Sequence, residues 1–340
     1  MAEAGDPAVT GNGERRAGKG GHLSSEVGLR GGGANPFPIP RSPFPREGQT
    51  FTGESLLARY ANFVKLPHTL FALPFALLGV LEASLEVGVT WRTVALVVVA
   101  FSAARWVAMG FNRIADREFD ARNPRTRNRE LPRGAITLRQ AWASVIIAGA
   151  IFVAAAGLLN RLCLYLSPVA LAWVMLYSLS KRFTWWPHLW LGVSLAIAPV
   201  GGYLAVTGRW SEPWWVLAAI SVAVATWVAG FDIFYALPDV AFDRSEGLHS
   251  AVVRLGEWNS ILLAKLLHGV TIPALLVFGW GAGFGAWYVG GVVAAACLLV
   301  YEHRLVRPGD LSRLDAAFFT MNGVMSVTVF GFALVDRLVT

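Results

Sequence analysis

Three polar side chains recur at four-residue intervals, Asn112, Asp116 and Asp120, at the point where a long apolar stretch ends. On an α-helix, a four-residue step turns the side chain by about 40° and climbs about 6 Å, so the three lie along one face. The preceding segment, 91–111, is almost entirely apolar, which predicts that the carboxylates emerge where a membrane helix reaches the interface. This placement favours metal-assisted chemistry on a lipid substrate.

A second acidic group consists of Asp232, Asp239 and Asp243. Asp239 and Asp243 repeat the four-residue spacing, and Asp232, seven residues earlier, returns to nearly the same angle on a helix. Pro238 lacks an N–H and disfavours helical geometry at Leu237, so we expect a bend that redirects the last two carboxylates. A polar helix end would explain either group alone, but two groups, each followed by a basic loop, favour a functional site.

The two groups together suit one kind of chemistry. Mg²⁺ binds one or two carboxylates and keeps other positions for phosphate oxygens and water. A diphosphate held between two such groups would leave with its charge stabilised. If that diphosphate is esterified to an allylic chain, its departure leaves a resonance-stabilised carbocation that can alkylate an electron-rich ring.

The elements that must position these residues are membrane helices. Of 340 residues, 55% are hydrophobic and 15% are charged, and the mean hydropathy is +0.51, which excludes an ordinary soluble globule and indicates an all-α, multi-span membrane protein. Apolar segments predict nine helices, at 66–87, 91–111, 137–159, 162–180, 187–206, 213–236, 258–280, 284–303 and 315–338.

The basic residues predict the orientation of these helices. Most of the 29 Lys and Arg fall in residues 1–65 and in the loops after the second, fourth, sixth and eighth predicted helices. The positive-inside rule then places the N-terminus and both acidic groups on the cytoplasmic side of the plasma (inner) membrane. The formal charge of +7 is explained without a nucleic-acid partner.

The N-terminal residues 1–50 differ from the rest of the chain. They are rich in Gly and Pro and hold no apolar stretch long enough for a secretory signal, which predicts a disordered tail. We therefore divide the chain into this tail and one transmembrane domain over 51–340.

Two sequence patterns resemble the UbiA superfamily of membrane prenyltransferases. One is the first acidic group followed by the run RTRNRELPRG at 125–134, and the other is the second group, which follows the pattern DxxYxxxDxxxD from Asp232 to Asp243. The resemblance covers about residues 56–338 and includes a basic loop after the fourth predicted helix.

The resemblance implies nine helices around a central cavity, two Mg²⁺ ions bridged by a diphosphate, a polyprenyl diphosphate donor and an aromatic acceptor bound near the cytoplasmic mouth. Its implied metal ligands are Asn112, Asp116, Asp120, Asp232, Asp239 and Asp243. Asp116, Asp120, Asp239 and Asp243 are the implied catalytic carboxylates. Tyr235, Lys181 and Arg182 are implied to contact substrate, although cations at a cytoplasmic helix end are also expected from topology alone.

The acceptor stays open between two classes. The pattern is most similar to members that prenylate 4-hydroxybenzoate and to menaquinone-pathway relatives that prenylate a dihydroxynaphthoate. Arg113 stands where many members have Asp, and His249 stands where many have Lys. Both departures bear on the acceptor.

An aromatic acid acceptor carries a carboxylate, whose burial requires a cationic partner. Arg105 is a candidate because it lies on the face of Asn112, and a guanidinium inside a membrane must be paired or face a polar cavity. The loop arginines Arg125, Arg127 and Arg129 offer the bidentate geometry that a carboxylate prefers. Lys65 and His68 are the next candidates, although an interfacial anchoring role explains them equally well.

Two other interpretations complete the sequence analysis. His188, His268 and His303 are interpreted as interface or packing residues. The rival function from another class is a cation transporter, since intramembrane carboxylates also mark ion paths. Arg-rich loops beside both acidic groups disfavour it, because they repel cations and attract diphosphates.

Overall fold

The computed structural model describes residues 55–65, 69–306, 311 and 321–340. The predicted tail at 1–50, His68 and residues 315–320 of the last predicted helix lie outside these residues. All the regular secondary structure within them is helical. The α-helices are α1 (Leu56–Phe63), α2 (Thr69–Ala83), α3 (Trp91–Ala115), α4 (Arg117–Arg122), α5 (Leu138–Leu159), α6 (Arg161–Tyr177), α7 (Pro187–Thr207), α8 (Trp215–Ala236), α9 (Val240–Ser245), α10 (Ala251–Gly281), α11 (Ala286–Leu305) and α12 (Asn322–Val339).

The described helices confirm the all-α membrane architecture. Seven are long and apolar enough to cross a membrane, and two further apolar helices, Ala72–Ala83 and Arg161–Tyr177, are shorter. The seven long segments are Trp91–Ala115, Leu138–Leu159, Pro187–Thr207, Trp215–Ser245, Ala251–Gly281, Ala286–Leu305 and Asn322–Val339. Each of the nine corresponds to a predicted apolar segment, so the chain is a multi-span membrane protein.

Polar side chains at the helix starts explain several of these boundaries. Thr137 and Gln140 form a capping box at the start of α5, and the side chain of Asn160 accepts a hydrogen bond from the backbone N–H of Cys163 at the start of α6. Ser250 caps α10 in the same way, so α10 begins at Ala251 and not at the predicted residue 258. Gly256, at φ 76°, kinks this helix in its second turn. The predicted apolar segment starts only after this kink and therefore misses the start of the helix.

Helix α8 lies in the centre of the protein. Its Ile220, Trp227 and Phe234 side chains are fully buried, and neighbouring helices pack around it. Helix α7 lies against α8 and α2 at glycine contacts. A methyl group on Gly192 would overlap the carbonyl oxygen of Ala225, and one on Gly202 would overlap that of Ala76. Small residues allow this close approach of membrane helices, which fixes α7 against the helix that carries Asp232.

Candidate active site

The first acidic group lies where α3 ends. Asp116 is the C-cap of α3 and α4 begins at Arg117, so the predicted single helix is broken at Asp116. The hydrogen-bond ladder nevertheless continues, from Asp116 N to Asn112 O at 2.9 Å and from Asp120 N to Asp116 O at 2.8 Å. The side-chain amide of Asn112 donates to Asp116 Oδ2 at 3.0 Å. The three side chains therefore stay on one face, as the spacing predicts.

The second acidic group follows a bent path. Asp232 belongs to α8, a 3₁₀ turn at Leu237–Asp239 holds Asp239, and Asp243 lies in α9. The turn contains Pro238, which agrees with the bend that the sequence predicts. Asp239 and Asp243 are both buried.

Both acidic groups line one cavity. Its volume is about 130 Å³, which is below the roughly 300–1,000 Å³ of ordinary ligand pockets. Its polar lining includes Asn112, Asp116, Asp120, Asn123, Arg125, Arg129, Tyr177, Lys181, Arg182, Asp232, Tyr235, Asp239 and Asp243. The structure thus brings together all six predicted metal ligands, from segments more than a hundred residues apart.

Basic side chains occupy the space between the carboxylates. Arg125 binds Asp239 through two nitrogens, one of them Nε at 2.9 Å from Oδ1. Arg129 contacts Asp120 Oδ1 at 2.7 Å. These pairs are 8–14% exposed, so water screens them little.

Two weaker ion pairs complete the arrangement. Lys181 Nζ lies 3.5 Å from Asp243 Oδ2, and Arg182 lies 3.8 Å from Asp116 Oδ1. Arg182 also donates to the carbonyl of Ala115 at 2.7 Å, which holds it beside the end of α3. These ion pairs fill part of the cavity. A diphosphate that binds there would have to draw the Lys and Arg side chains away from their carboxylate partners.

The ring of Tyr235 lies between two cations. Lys65 Nζ donates to its hydroxyl at 3.3 Å, and the Arg125 guanidinium lies 4.8 Å from its ring centre. Lys65 thus contacts a residue that lines the cavity, although 170 residues separate the two in sequence. Asn123, which the sequence analysis missed, is buried and donates to Asp239 Oδ1 at 3.1 Å.

Three predicted substrate contacts lie outside the cavity lining, namely Lys65, which contacts Tyr235, and Arg105 and Arg127. Arg127 is exposed, on the outside of the loop that carries Arg125 and Arg129. Arg105 lies within α3, where its Nε is buried without a hydrogen-bond partner among the described residues. It interacts electrostatically with Tyr177, which does line the cavity. Their proposed contact with substrate stays a prediction.

The structure explains one departure from the family pattern. Arg113 is buried outside the cavity lining, and its Nε donates to the carbonyl of Phe63 at 3.4 Å. It therefore anchors the end of α1 on α3. Although Arg113 follows Asn112 directly in sequence, the turn of the helix directs it away from the face of the acidic group.

One histidine is more than a packing residue. His188 Nδ1 lies 2.7 Å from Asp232 Oδ2, and the ring is only 1% exposed. His268 and His303 hydrogen-bond to each other at 3.0 Å, away from the cavity lining. The sequence does not distinguish His188 from the other two histidines, because none of the three belongs to a motif with the acidic residues.

The donor set suits a hard divalent cation. Five carboxylates and an amide are the oxygen ligands that Mg²⁺ prefers, and Asp120 Oδ2 is buried without a hydrogen-bond partner among the described residues. Within the described ranges, no three His, Cys, Asp or Glu side chains lie together as a metal site. Four of the five carboxylates instead face a Lys or Arg side chain, with which they form the ion pairs described above.

The close packing of charged side chains shifts the pKa values of Asp116 and Lys181. Burial and the neighbouring carboxylate of Asp120 raise the pKa of Asp116 to about 6, against the lowering effect of Lys181, Arg129 and Arg182. Burial lowers the pKa of Lys181, but the surrounding carboxylates, first that of Asp243, outweigh it and leave the pKa above its usual value. Lys181 is therefore a permanent cation in the cavity.

Comparison with known proteins places these features in a family. Residues 72–324 match the UbiA prenyltransferase family. The chain is 30% identical over 218 residues to a 4-hydroxybenzoate octaprenyltransferase of Aromatoleum aromaticum, which covers 64% of this chain and 72% of that protein. It is 31% identical over 230 residues to the protein of the same name from Nitrosospira multiformis, with 67% and 77% covered.

Solved structures share the fold. The apo structure of a UbiA homologue from Aeropyrum pernix superposes with a TM-score of 0.73 at 32% identity, over 79% of this chain and 98% of that one. A UbiA homologue from Archaeoglobus fulgidus bound to DMAPP and Mg²⁺ superposes with a TM-score of 0.64 at 18% identity, over 83% and 100% of the two chains.

Proposed function

The chain belongs to the UbiA prenyltransferase family, and from this premise we propose that it transfers a polyprenyl group from polyprenyl diphosphate to an aromatic acid of the 4-hydroxybenzoate type, with Mg²⁺ as the required cofactor. The observation that carries the proposal is the single cavity that both acidic groups line, with four cations between them. The relatives named 4-hydroxybenzoate octaprenyltransferase support the acceptor, and the Archaeoglobus homologue with DMAPP and Mg²⁺ supports the donor class and the metal.

The residues take complementary roles in this reaction. The six oxygen donors would hold two Mg²⁺ ions, which neutralise the diphosphate as it leaves. Arg125, Lys181 and Arg182 would exchange their carboxylate partners for diphosphate oxygens. Arg129, like Arg105, is a candidate for the carboxylate of the acceptor. The allylic carbon–oxygen bond would break with its electron pair on the diphosphate, and the ring carbon would form the new bond. The ring would then lose a proton to the released diphosphate or to water.

The dihydroxynaphthoate alternative differs only in the acceptor. Burial of an acceptor carboxylate requires a cation, and Arg105 is a candidate because it lies within α3 and its buried Nε has no hydrogen-bond partner in the part of the chain that the structure describes. The cation-transporter hypothesis is disfavoured because the chain belongs to a family of transferases. Arg side chains also line the cavity, and their positive charge would repel a transported cation. We place the site on the cytoplasmic side of the plasma membrane, where the basic loops predict it to be.

The test is a direct assay on purified protein in lipid vesicles. Labelled polyprenyl diphosphate is incubated with 4-hydroxybenzoate or 1,4-dihydroxy-2-naphthoate, with Mg²⁺ or with EDTA, and the lipid extract is analysed. We expect a prenylated 4-hydroxybenzoate that forms only with Mg²⁺ and returns when the metal is restored. A product from the naphthoate alone would assign the alternative acceptor, and no prenylated aromatic under any condition would refute the proposal.

A further inference from the structure

His188 lies behind the cavity and not in it. It is the second residue of α7, its ring is 1% exposed, and it is absent from the cavity lining. Its Nδ1 is 2.7 Å from Oδ2 of Asp232, which does line the cavity. A carboxylate that binds a metal is ionised and only accepts hydrogen bonds, so in that role of Asp232 the donor is Nδ1 of His188. This contact uses one of the two lone-pair sites of Oδ2, so Asp232 keeps other sites for a cation in the cavity.

This contact differs from those of the other acidic residues in the site. Asp116, Asp120, Asp239 and Asp243 are each beside an Arg or Lys that also lines the cavity. The anionic groups of the two substrates would compete for those four cations. His188 is buried and lies outside the cavity lining, so a substrate in the cavity would not compete for it.

The position of His188 is fixed by the fold. Pro187 begins α7, and Gly192, one turn further on, brings the helix into backbone contact with α8 at Ala225. Ala225 lies two turns before Asp232 on that helix. The close contact between the two helices therefore holds the histidine and the aspartate in register.

We propose that His188 is a positioning residue that orients Asp232 as a metal ligand. The proposal rests on the function proposed above. Hydrogen-bonding partners of metal ligands typically change metal affinity by about 10–100-fold when they are removed, because the ligand loses its orientation. We expect an effect of this size for His188, and none for a buried histidine elsewhere.

The test measures Mn²⁺ binding by electron paramagnetic resonance, with inorganic pyrophosphate present and no reaction. His188→Phe keeps a ring and removes both nitrogens, and His188→Asn keeps an N–H donor near the place of Nδ1. We expect Mn²⁺ to bind about 10-fold or more weakly to the Phe variant and within about threefold of wild type to the Asn variant. His268→Phe, at a histidine that is 3% exposed and outside the lining, is the matched control and should bind as wild type does.

A double-mutant cycle separates positioning from a structural role. If His188 acts through Asp232, then adding His188→Phe to Asp232→Asn should weaken binding no further. Additive losses, or wild-type affinity in a folded Phe variant, would overturn the proposal. If the Phe variant does not fold, the cycle is run with His188→Leu. Failure of wild-type protein to bind Mn²⁺ with pyrophosphate would instead refute the proposed function itself.

Discussion

Asp116 and Asp239 each hold a central position in one of the two acidic groups, so their removal tests the site most directly. We expect Asp116→Asn and Asp239→Asn each to lower kcat by about 100-fold or more, as loss of a charge-stabilising group does, and to leave a folded protein. Glu118→Gln is the control, because that side chain is 69% exposed and outside the cavity lining. Activity within threefold of wild type in both aspartate variants would contradict the assignment.

Metal binding should depend on pH through Asp116. A carboxylic acid must lose its proton to bind a cation, and the pKa of Asp116 in the ligand-free protein is about 6. Mn²⁺ affinity should therefore rise as the pH increases through 6 and level off above it, since the proton no longer competes. Titrations between pH 5 and pH 8 measure this directly. The dependence should weaken in Asp116→Asn, which has no proton to lose.

The arginines Arg105 and Arg129 bear on the acceptor. A lysine keeps the charge of an arginine but not its bidentate geometry. We expect at least one of Arg105→Lys and Arg129→Lys to raise the apparent KM of the aromatic acid by about tenfold, roughly 1.4 kcal/mol of binding, with little change for the prenyl donor. Arg117→Lys, at an exposed position, is the control. Loss of donor binding alone in both variants would assign these arginines to the diphosphate, with Lys65 next in line for the acceptor.

At the scale of helices, α7 and α8 approach each other closely at Gly192. A methyl group at Gly192 would meet the backbone of Ala225, whereas one at Gly201 on the same helix has no atom within 4 Å. Gly192→Ala should cost about 1–3 kcal/mol of stability through overpacking. Gly201→Ala should be neutral or stabilise the protein by up to about 1 kcal/mol.

Thermal unfolding in one detergent compares the two glycine variants. Gly192→Ala should also weaken Mn²⁺ binding, because it displaces the start of α7 and with it His188. Equal unfolding temperatures for the two variants would show that α7 can move away from α8 without loss.

The whole molecule has a predicted orientation that cysteine labelling can test. In a variant without Cys163 and Cys297, we introduce Arg127→Cys or Ser245→Cys near the site and Val87→Cys in the exposed turn after α2. Because the basic loops are predicted to be cytoplasmic, the first two should resist an impermeant thiol reagent in intact cells and react in inverted vesicles. Val87→Cys should behave in the opposite way. The reverse pattern would place the site outside and contradict the topology.

The amino-acid sequence by itself determined the membrane class, the helix segments and the two acidic groups. Hydropathy and a four-residue spacing are local properties, so α3, α5, α7 and α8 begin and end within a few residues of their predicted bounds. The sequence analysis missed the break at Asp116 and the first turns of α10. The reason is that a pattern of apolar residues does not report a helix cap or a kink at a glycine such as Gly256.

Only the tertiary structure decided which side chains meet. Arg125 and Asp239 are 114 residues apart and Lys65 and Tyr235 are 170 apart, and no periodicity links them. Neighbouring arginines on one loop also separate, since Arg125 enters the cavity while Arg127 stays exposed. The contact behind the proposed role of His188 arises in the same way, because packing of α7 on α8 brings it to Asp232. Such contacts depend on how distant helices pack, and the spacing of residues along one helix does not specify that packing.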